Sequence, residues 1–470
     1  MKRTCLLFSL VLFTACVHAQ NIGYQFTVRI HGVSDTTVML GHHYGDKQYV
    51  IDTVKIDHNG QAIFTGPTML KGGLYLCVMP SLKNKYFEFI VSGREHDFIL
   101  ETDTSDFSGH MKVTGSLENK LFFEDLVYIT AKRKEMNAIK DKMNGLDPAS
   151  EEFIKLKEEM KTVNDGVEAE RSAIVKKYPQ LFYSVFLHAL TDIKIPDAPI
   201  NPDGTKDSTF AYHYVRQHYF DNINFTDERL LRTNIVDTKV RKYLKDYVPK
   251  IPDSIQAGVD FVIGKSRIDS AVFQYVTVML LNEYASSKVM GFDAVYVYIV
   301  DKYYKGGQAF WLDDVELYKI MAQAEKLRPT LIGKQAPQLI LQDTAGNDIP
   351  LYSLQSKYTV LIFWDVDCGH CKKEMPKIEA LYPELKQMGG EVYAAYSQEE
   401  WDKWKKWLNE KKYPWVNAGN MKLKSDFQTR YNIDQTPIIL ILDKNKKIIA
   451  KRIAADQIME FLHHQPEAGG

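Results

Sequence analysis

The sequence predicts a multidomain α+β protein: an N-terminal antiparallel β-sandwich, a central helical domain and a C-terminal α/β domain. Three observations predict it. Short alternating runs between Gly, Pro and Asn turns fill residues 22–115, and charged, helix-patterned segments fill 116–331. A continuous apolar run, Tyr358–Trp364, then opens a strand–helix alternation that continues to the end. The length, 470 residues, fits about three domains. A composition of 45% hydrophobic and 25% charged residues excludes collagen-like and largely disordered chains. Lys+Arg 59 against Asp+Glu 60 leaves a net charge of −1, so no basic excess points to nucleic acid.

The first residues predict export. Lys2 and Arg3 form a short positive region, Leu6–Ala15 is apolar, and Val17-His18-Ala19 fits a small-residue cleavage site before Gln20. The apolar part is too short to span a bilayer. Residues 1–19 are therefore read as a signal peptide, over an uncleaved anchor, with the mature chain in the periplasm or cell envelope. Cys16 follows Phe13-Thr14-Ala15, which lacks the branched aliphatic residue of a lipoprotein box, so lipid anchoring there is the weaker reading. Loss of Lys2 and Arg3 moves the net charge from −1 to −3, which names no partner. Of the five cysteines, Cys77, Cys368 and Cys371 remain. So few cysteines in a chain this long make no disulfide scaffold, and two of them are spaced C-x-x-C.

The domain boundaries expected are 20–115, 116–331 and 332–470. In the first, Tyr24, Phe26, Val28 and Ile30 alternate with polar residues, as do Val50, Asp52, Val54 and Ile56 less cleanly, then Phe87, Phe89 and Val91, then Phe98 and Leu100. Cys77, in LYLCVM, reads as a buried strand thiol. From Ser116 the period becomes helical. Asp147-Pro148 suits the cap and first position of a second helix, in which Phe153, Met160, Val167 and Ile174 recur at heptad spacing with Leu156 and Val163 between. Together these predict a long helical hairpin, the expected place for a homodimer contact. Residues 271–304 read as one or two buried helices, with a strand alternative left open by the β-branched residues. After Tyr358–Trp364 follow a helix over Glu374–Met388, a strand over Glu391–Ser397, a helix over Glu399–Lys411, a strand over Ile438–Leu442, another from Lys447, and a last helix from Asp456. Trp401, Trp404 and Trp407 on the second of these helices read as packing residues.

The chemistry sits in FWDVDCGHCKKEMP. A strand ends and C-x-x-C falls where a helix begins, with Cys371 one turn inside it. Free N–H groups and the positive end of the helix dipole there favour a thiolate at Cys368. Cys371 is close enough to attack a mixed disulfide. A protonated His370 would add positive charge, Lys372 and Lys373 a little more, while Asp365 and Asp367 oppose it. Two alternatives are weaker. A structural disulfide would close a tiny loop and stabilise little. Zinc would need a second ligand pair, and His42-His43 and His463-His464 belong to no matching motif; they read as strand-end surface and a solvated helix end.

On these residues the last third of the chain resembles a thioredoxin fold of the TlpA/ResA type. The features are the apolar LIFW strand, Cys368-Gly369-His370-Cys371, Glu374, Pro376 at the place of the helix-kinking proline, and Thr436-Pro437 before a strand. The resemblance implies that Cys368 is the nucleophile and Cys371 the resolving thiol. It implies that Gly369, His370 and Glu374 tune the site. It implies a cis-proline at Pro437 that sets the Thr436 backbone beside the dithiol to receive an extended substrate segment. Two departures stand out. Ile362 lies where thioredoxin has a buried aspartate, leaving Glu374 as the nearest replacement, with a salt-bridged helix residue as its plainer reading. Asp367 lies where thioredoxin has tryptophan.

The expectation is an exported thiol-disulfide oxidoreductase. No cofactor and no metal are implied. The implied partners are client proteins with thiols or disulfides and a membrane electron donor. The Gly-His dipeptide matches protein disulfide isomerase, whose sites lie on the order of −180 mV against −270 mV for thioredoxin. The domain type points to reductases instead, and reductase or isomerase is favoured. The rival is a non-enzymatic envelope binding protein whose redox domain is an inert scaffold.

Overall fold

The computed structural model of the chain describes residues 23–95, 97–422 and 425–465. The expected signal segment, with Cys5 and Cys16, lies outside them. The chain divides into two compact units, one ending at Tyr243 and one beginning at Leu244.

The first unit opens with eight strands: β1 Tyr24–His31, β2 Thr36–Tyr44, β3 Lys47–Ile56, β4 Gln61–Gly66, β5 Gly73–Met79, β6 Lys85–Val91, β7 Asp97–Asp103 and β8 Lys112–Thr114. They form two four-stranded sheets, ordered β4-β1-β7-β8 and β3-β2-β5-β6. Alternation turns Phe26, Phe64 and Phe98 of one sheet and Phe89 of the other to the inside. The other three rings lie 4.9–5.4 Å from that of Phe26, so aromatic packing joins the layers. One pair departs from the antiparallel pattern: β1 and β7 run parallel. The long excursion through the second sheet frees that pair from the hairpin constraint. β3 departs in another way. It is an edge strand, Val50 and Ile51 are exposed at 59% and 43%, and Ile56 is its buried residue. Cys77 is fully buried on β5, as its apolar run indicates.

Helices follow: α1 Leu117–Met143, α2 Glu151–Lys177, α3 Phe182–Leu190, α4 Phe210–His218 and α5 Ile235–Asp246. The Ser116 hydroxyl caps α1 by accepting the N–H of Asn119 at 3.2 Å. The Asn119 amide in turn bonds both backbone groups of Ile90, at 2.7 and 2.8 Å, which ties the helix to the edge strand β6. α1 and α2 make the predicted hairpin. The start of α2 differs from expectation: Ser150 is the cap, accepting from Phe153 N at 3.2 Å, while Asp147 accepts from Ala149 N in the turn before it. Asp147-Pro148 thus shapes the connection rather than the helix. The hairpin seam runs through Leu156, Met160 and Val163 against Met136 and Ile139.

The second unit takes over within the last turn of α5 and continues with α6 Pro252–Ser266, α7 Ser270–Ala285, α8 Asp293–Ile299 and α9 Asp314–Leu327. The ambiguous apolar stretch is α7 and α8: Val272, Val276, Leu280 and Tyr284 are buried at helical spacing. Then comes a seven-stranded sheet of β9 Ile340–Gln342, β10 Asp348–Pro350, β11 Tyr358–Trp364, β12 Gly390–Tyr396, β13 Val416–Gly419, β14 Ile438–Leu442 and β15 Ile448–Lys451. Its order is β10-β9-β13-β12-β11-β14-β15. Helices α10 Cys371–Gln387, α11 Trp401–Lys411, α12 Phe427–Arg430 and α13 Ile458–His463 accompany it. All of β11 is buried because both faces are covered. Val360, Ile362 and Trp364 meet α10 and α11; Leu361 and Phe363 meet Phe427 and Tyr431. Trp404 is fully buried and stacks on Tyr396 at 5.5 Å, as a packing residue should. Among the described residues no helix is long and apolar enough to cross a membrane.

Candidate active site

β11 pairs in parallel with β12 on one side and antiparallel with β14 on the other. The chain leaving its C-terminal end carries Asp365 to His370 and turns into α10. His370 is the cap residue and Cys371 the first residue of the helix. The pair therefore straddles the helix start; Cys371 does not lie a full turn inside. Cys368 is half-buried and Cys371 is buried, and both are free thiols. The Cys371 N–H donates to Cys368 Sγ at 3.3 Å, and the Cys368 thiol donates to the Thr436 carbonyl at 3.2 Å. The Thr436–Pro437 peptide is cis.

This arrangement separates the two thiols. Burial by itself raises the pKa of Cys368. Hydrogen bonds from the Cys371 thiol, the Thr436 side chain and the backbone N–H groups of Cys371 and His370 outweigh it, and the pKa falls below that of an ordinary cysteine. Burial, together with the bond given to Cys368, pushes Cys371 up to about 12. The accessible sulfur is thus the better anion and the buried one keeps its proton. Asp367 does not oppose this freely. Its carboxylate meets Lys403 Nζ of α11 at 2.8 Å, which holds it below the usual carboxylate range.

His370, Glu374, Thr436 and Pro437 line a groove of about 350 Å³ beside the sulfurs. Glu374 has both oxygens engaged: one accepts from Lys377 Nζ at 2.7 Å, the other from the Ala455 N–H at 2.8 Å. Gly369 is open, and a Cβ there would meet nothing within 4 Å. Ile362 is fully buried in the core. Gln435, Arg452 and Ile453 are among the other residues that line the groove. Sequence reasoning missed them, because each arrives from a connection far along the chain and carries no local motif.

The remaining candidates fall elsewhere. His43 is not strand-end surface: its side chain is 12% exposed and bonds Glu88 at 2.7 Å. His463 and His464 are exposed at a helix end, as read. Burial pushes the Cys77 thiol up to about 12, so it is a poor nucleophile. Among the described residues no cluster of three or more His, Cys, Asp or Glu side chains is placed to hold a metal.

Comparison with known proteins gives the family. The AhpC/TSA family model matches residues 332–451, and two domains of unknown function, DUF5106 and DUF4369, match 155–329 and 24–122. The thiol-disulfide oxidoreductase ResA of Bacillus thuringiensis is 32% identical over 143 residues, covering 30% of this chain and 78% of that protein. The chain belongs to the ResA-type thiol-disulfide oxidoreductases. A thioredoxin-like protein of Haemophilus influenzae is 30% identical over 148 residues, 31% of this oxidoreductase and 84% of that protein. Among solved structures, a domain of a possible thiol-disulfide isomerase from Cytophaga hutchinsonii is 43% identical, covers 29% of this chain and 92% of its own, and has a TM-score of 0.28. The AhpC/TSA match lies in the C-terminal, thioredoxin-like third. Thiol-disulfide oxidoreduction is the activity of the family.

Proposed function

We propose that this oxidoreductase is exported and exchanges disulfides with client proteins through Cys368 and Cys371, as a reductase or isomerase. The observation that carries the reading is the split pair: a half-buried thiol of lowered pKa at a helix start, bonded to a buried thiol pushed up to about 12. The Cys368 thiolate attacks one sulfur of a client disulfide, and the other client sulfur leaves as a thiolate and takes a proton. Cys371 then gives up its proton and attacks Cys368. The client's second sulfur leaves and is protonated, and the Cys368–Cys371 disulfide remains. Two electrons have passed to the client, and a dithiol donor, of which a membrane protein is the expected source, must return them. In isomerisation the client's own thiol displaces Cys368 and no net electrons move. The Thr436 backbone, beside Cys368, supplies the edge on which an extended client segment pairs. His370 and Glu374, at the groove, and Gly369, next to Cys368 in the chain, tune the site. Export rests on the sequence of residues 2–19, and self-association through α1 and α2 is the further partner reading.

Equilibration of the protein in glutathione buffers, with Cys371→Ser as a trap, tests this. A measurable potential and client proteins trapped as mixed disulfides on Cys368 are the expected result. A pair that stays oxidised in every buffer and traps nothing would overturn it.

A further inference from the structure

One wall of the redox groove has no part in the thiol chemistry. Arg452 directly follows β15, is exposed, and lines the groove with Thr436, Pro437 and Ile453. Its backbone N–H donates to the Ile439 carbonyl at 2.8 Å, so it stands beside the segment that leads from Thr436-Pro437 into β14. Its φ is 54°, in the left-handed region, which glycine or asparagine adopts at less cost than arginine. Among the described residues its guanidinium makes one hydrogen bond, from Nη2 to Asp434 Oδ1 at 2.9 Å. The two side chains are 40% and 56% exposed. An ion pair that open to water contributes little and does not offset the backbone cost. Of the five guanidinium N–H donors, four remain. The carboxylate of the groove is already spent: Glu374 is engaged by Lys377 and by the Ala455 N–H. Ile438 and Ile439 give the groove an apolar, buried floor. The open valence beside that floor belongs to Arg452.

We infer that Arg452 is a specificity residue, which selects clients carrying an aspartate or glutamate two residues from the reacting cysteine. The inference rests on the client-exchange reading above. The client cysteine meets Cys368, whose thiol bonds the Thr436 carbonyl. In an extended segment, side chains two residues apart share a face and lie about 7 Å apart. Ile439, beside which Arg452 stands, is three residues on from Thr436, about 10 Å of extended chain. The client's own spacing covers most of that span, and the acidic and guanidinium side chains cover the rest. The client carboxylate then accepts from the open guanidinium donors, in a charge-assisted contact. A neutral side chain at that place leaves them to water, and a basic one is repelled.

Three disulfide-bridged peptide dimers test it, each Ala-X-Ala-Cys-Ala-X-Ala with blocked ends and X as Glu, Gln or Lys. The reduced protein passes two electrons and two protons to each dimer, leaving two peptide thiols and the Cys368–Cys371 disulfide. Each rate is divided by that of the same dimer with dithiothreitol, which removes the effect of X on the peptide sulfur itself. The Glu dimer should react about tenfold faster than the Gln dimer, the size of one hydrogen bond to a charged group, and the Lys dimer more slowly than either. Arg452→Gln should bring the Glu/Gln ratio to about one. Arg452→Gly, which suits the left-handed backbone, should do the same and guards against a folding defect in the first variant. Asp434→Asn frees the guanidinium and should raise the ratio. A fall in Asp434→Asn equal to that in Arg452→Gln would mean that the pair only braces the Thr436-Pro437 loop, and would overturn the inference. Equal relative rates for the three dimers would overturn it too, and leave the redox reading standing. Reduction of none of them would overturn the redox reading and the inference with it.

Discussion

Cys368 and Cys371 differ in pKa partly through one bond that they share. The Cys371 thiol donates to Cys368, which stabilises the Cys368 thiolate and holds the proton on Cys371. Alkylation by iodoacetamide follows the thiolate fraction, so its rate in the reduced protein should reach half its maximum below the pH at which an ordinary cysteine does. Cys371→Ala removes the donor and should move that midpoint up; Cys371→Ser restores an O–H donor and should move it less. Identical midpoints in all three proteins would mean that Thr436 and the backbone N–H groups set the shift without the Cys371 thiol. Ile362 poses the opposite question. It sits between Ala394 and Ile439, fully buried, at the place of thioredoxin's aspartate. A carboxylate there has only apolar neighbours, so Ile362→Asp should lose about 3 kcal/mol or more of stability in urea unfolding at neutral pH. A loss under about 1 kcal/mol would show that the site can still take a buried acid.

At the scale of elements, α11 buttresses the redox loop in two unequal ways. Trp404 is fully buried against Tyr396, and Trp404→Ala should cost about 3–5 kcal/mol. The bridge from Lys403 to Asp367 joins two side chains that are each 60% exposed, so Asp367→Asn should change stability by less than about 1 kcal/mol. Urea unfolding of both variants checks the contrast; equal losses would mean that the surface pair holds α11 as firmly as the buried tryptophan does. The same contrast explains what was legible in the sequence. β11, α10, β12 and α11 each carry enough residues in one period to declare themselves, and C-x-x-C is a local signal. β9, β10 and β13 are three or four residues long and exist because neighbouring strands pair with them. The parallel pairing of β1 with β7 is likewise a property of two distant segments. The site divides in the same way: the cysteines and Thr436-Pro437 could be read, whereas Arg452, Gln435 and the Ala455 N–H on Glu374 are brought in by tertiary contacts.

For the whole molecule, the two compact units give the direction of electron flow a thermodynamic signature. The first unit has the aromatic core of its two sheets and the buried Cys77; the second has both faces of the seven-stranded sheet and the dithiol. Chains of this kind are not expected to unfold in a single two-state step. Oxidation of Cys368 and Cys371 should therefore move the transition of the second unit and leave the first in place. The direction of the shift follows from linkage. A strongly oxidising site is one whose reduced form is stabilised by folding, and a reducing site is the reverse. The gap between isomerase-like and thioredoxin-like potentials, about 90 mV, is roughly 4 kcal/mol. For a unit of this size that corresponds to a difference of about 8–16 °C in melting temperature. As a reductase, the oxidised protein should melt higher than the reduced one in scanning calorimetry with and without dithiothreitol. As an isomerase, the gap should shrink or reverse. A transition of the first unit that moves by the same amount would show that the units melt together, and the potential would then have to be read from glutathione buffers alone.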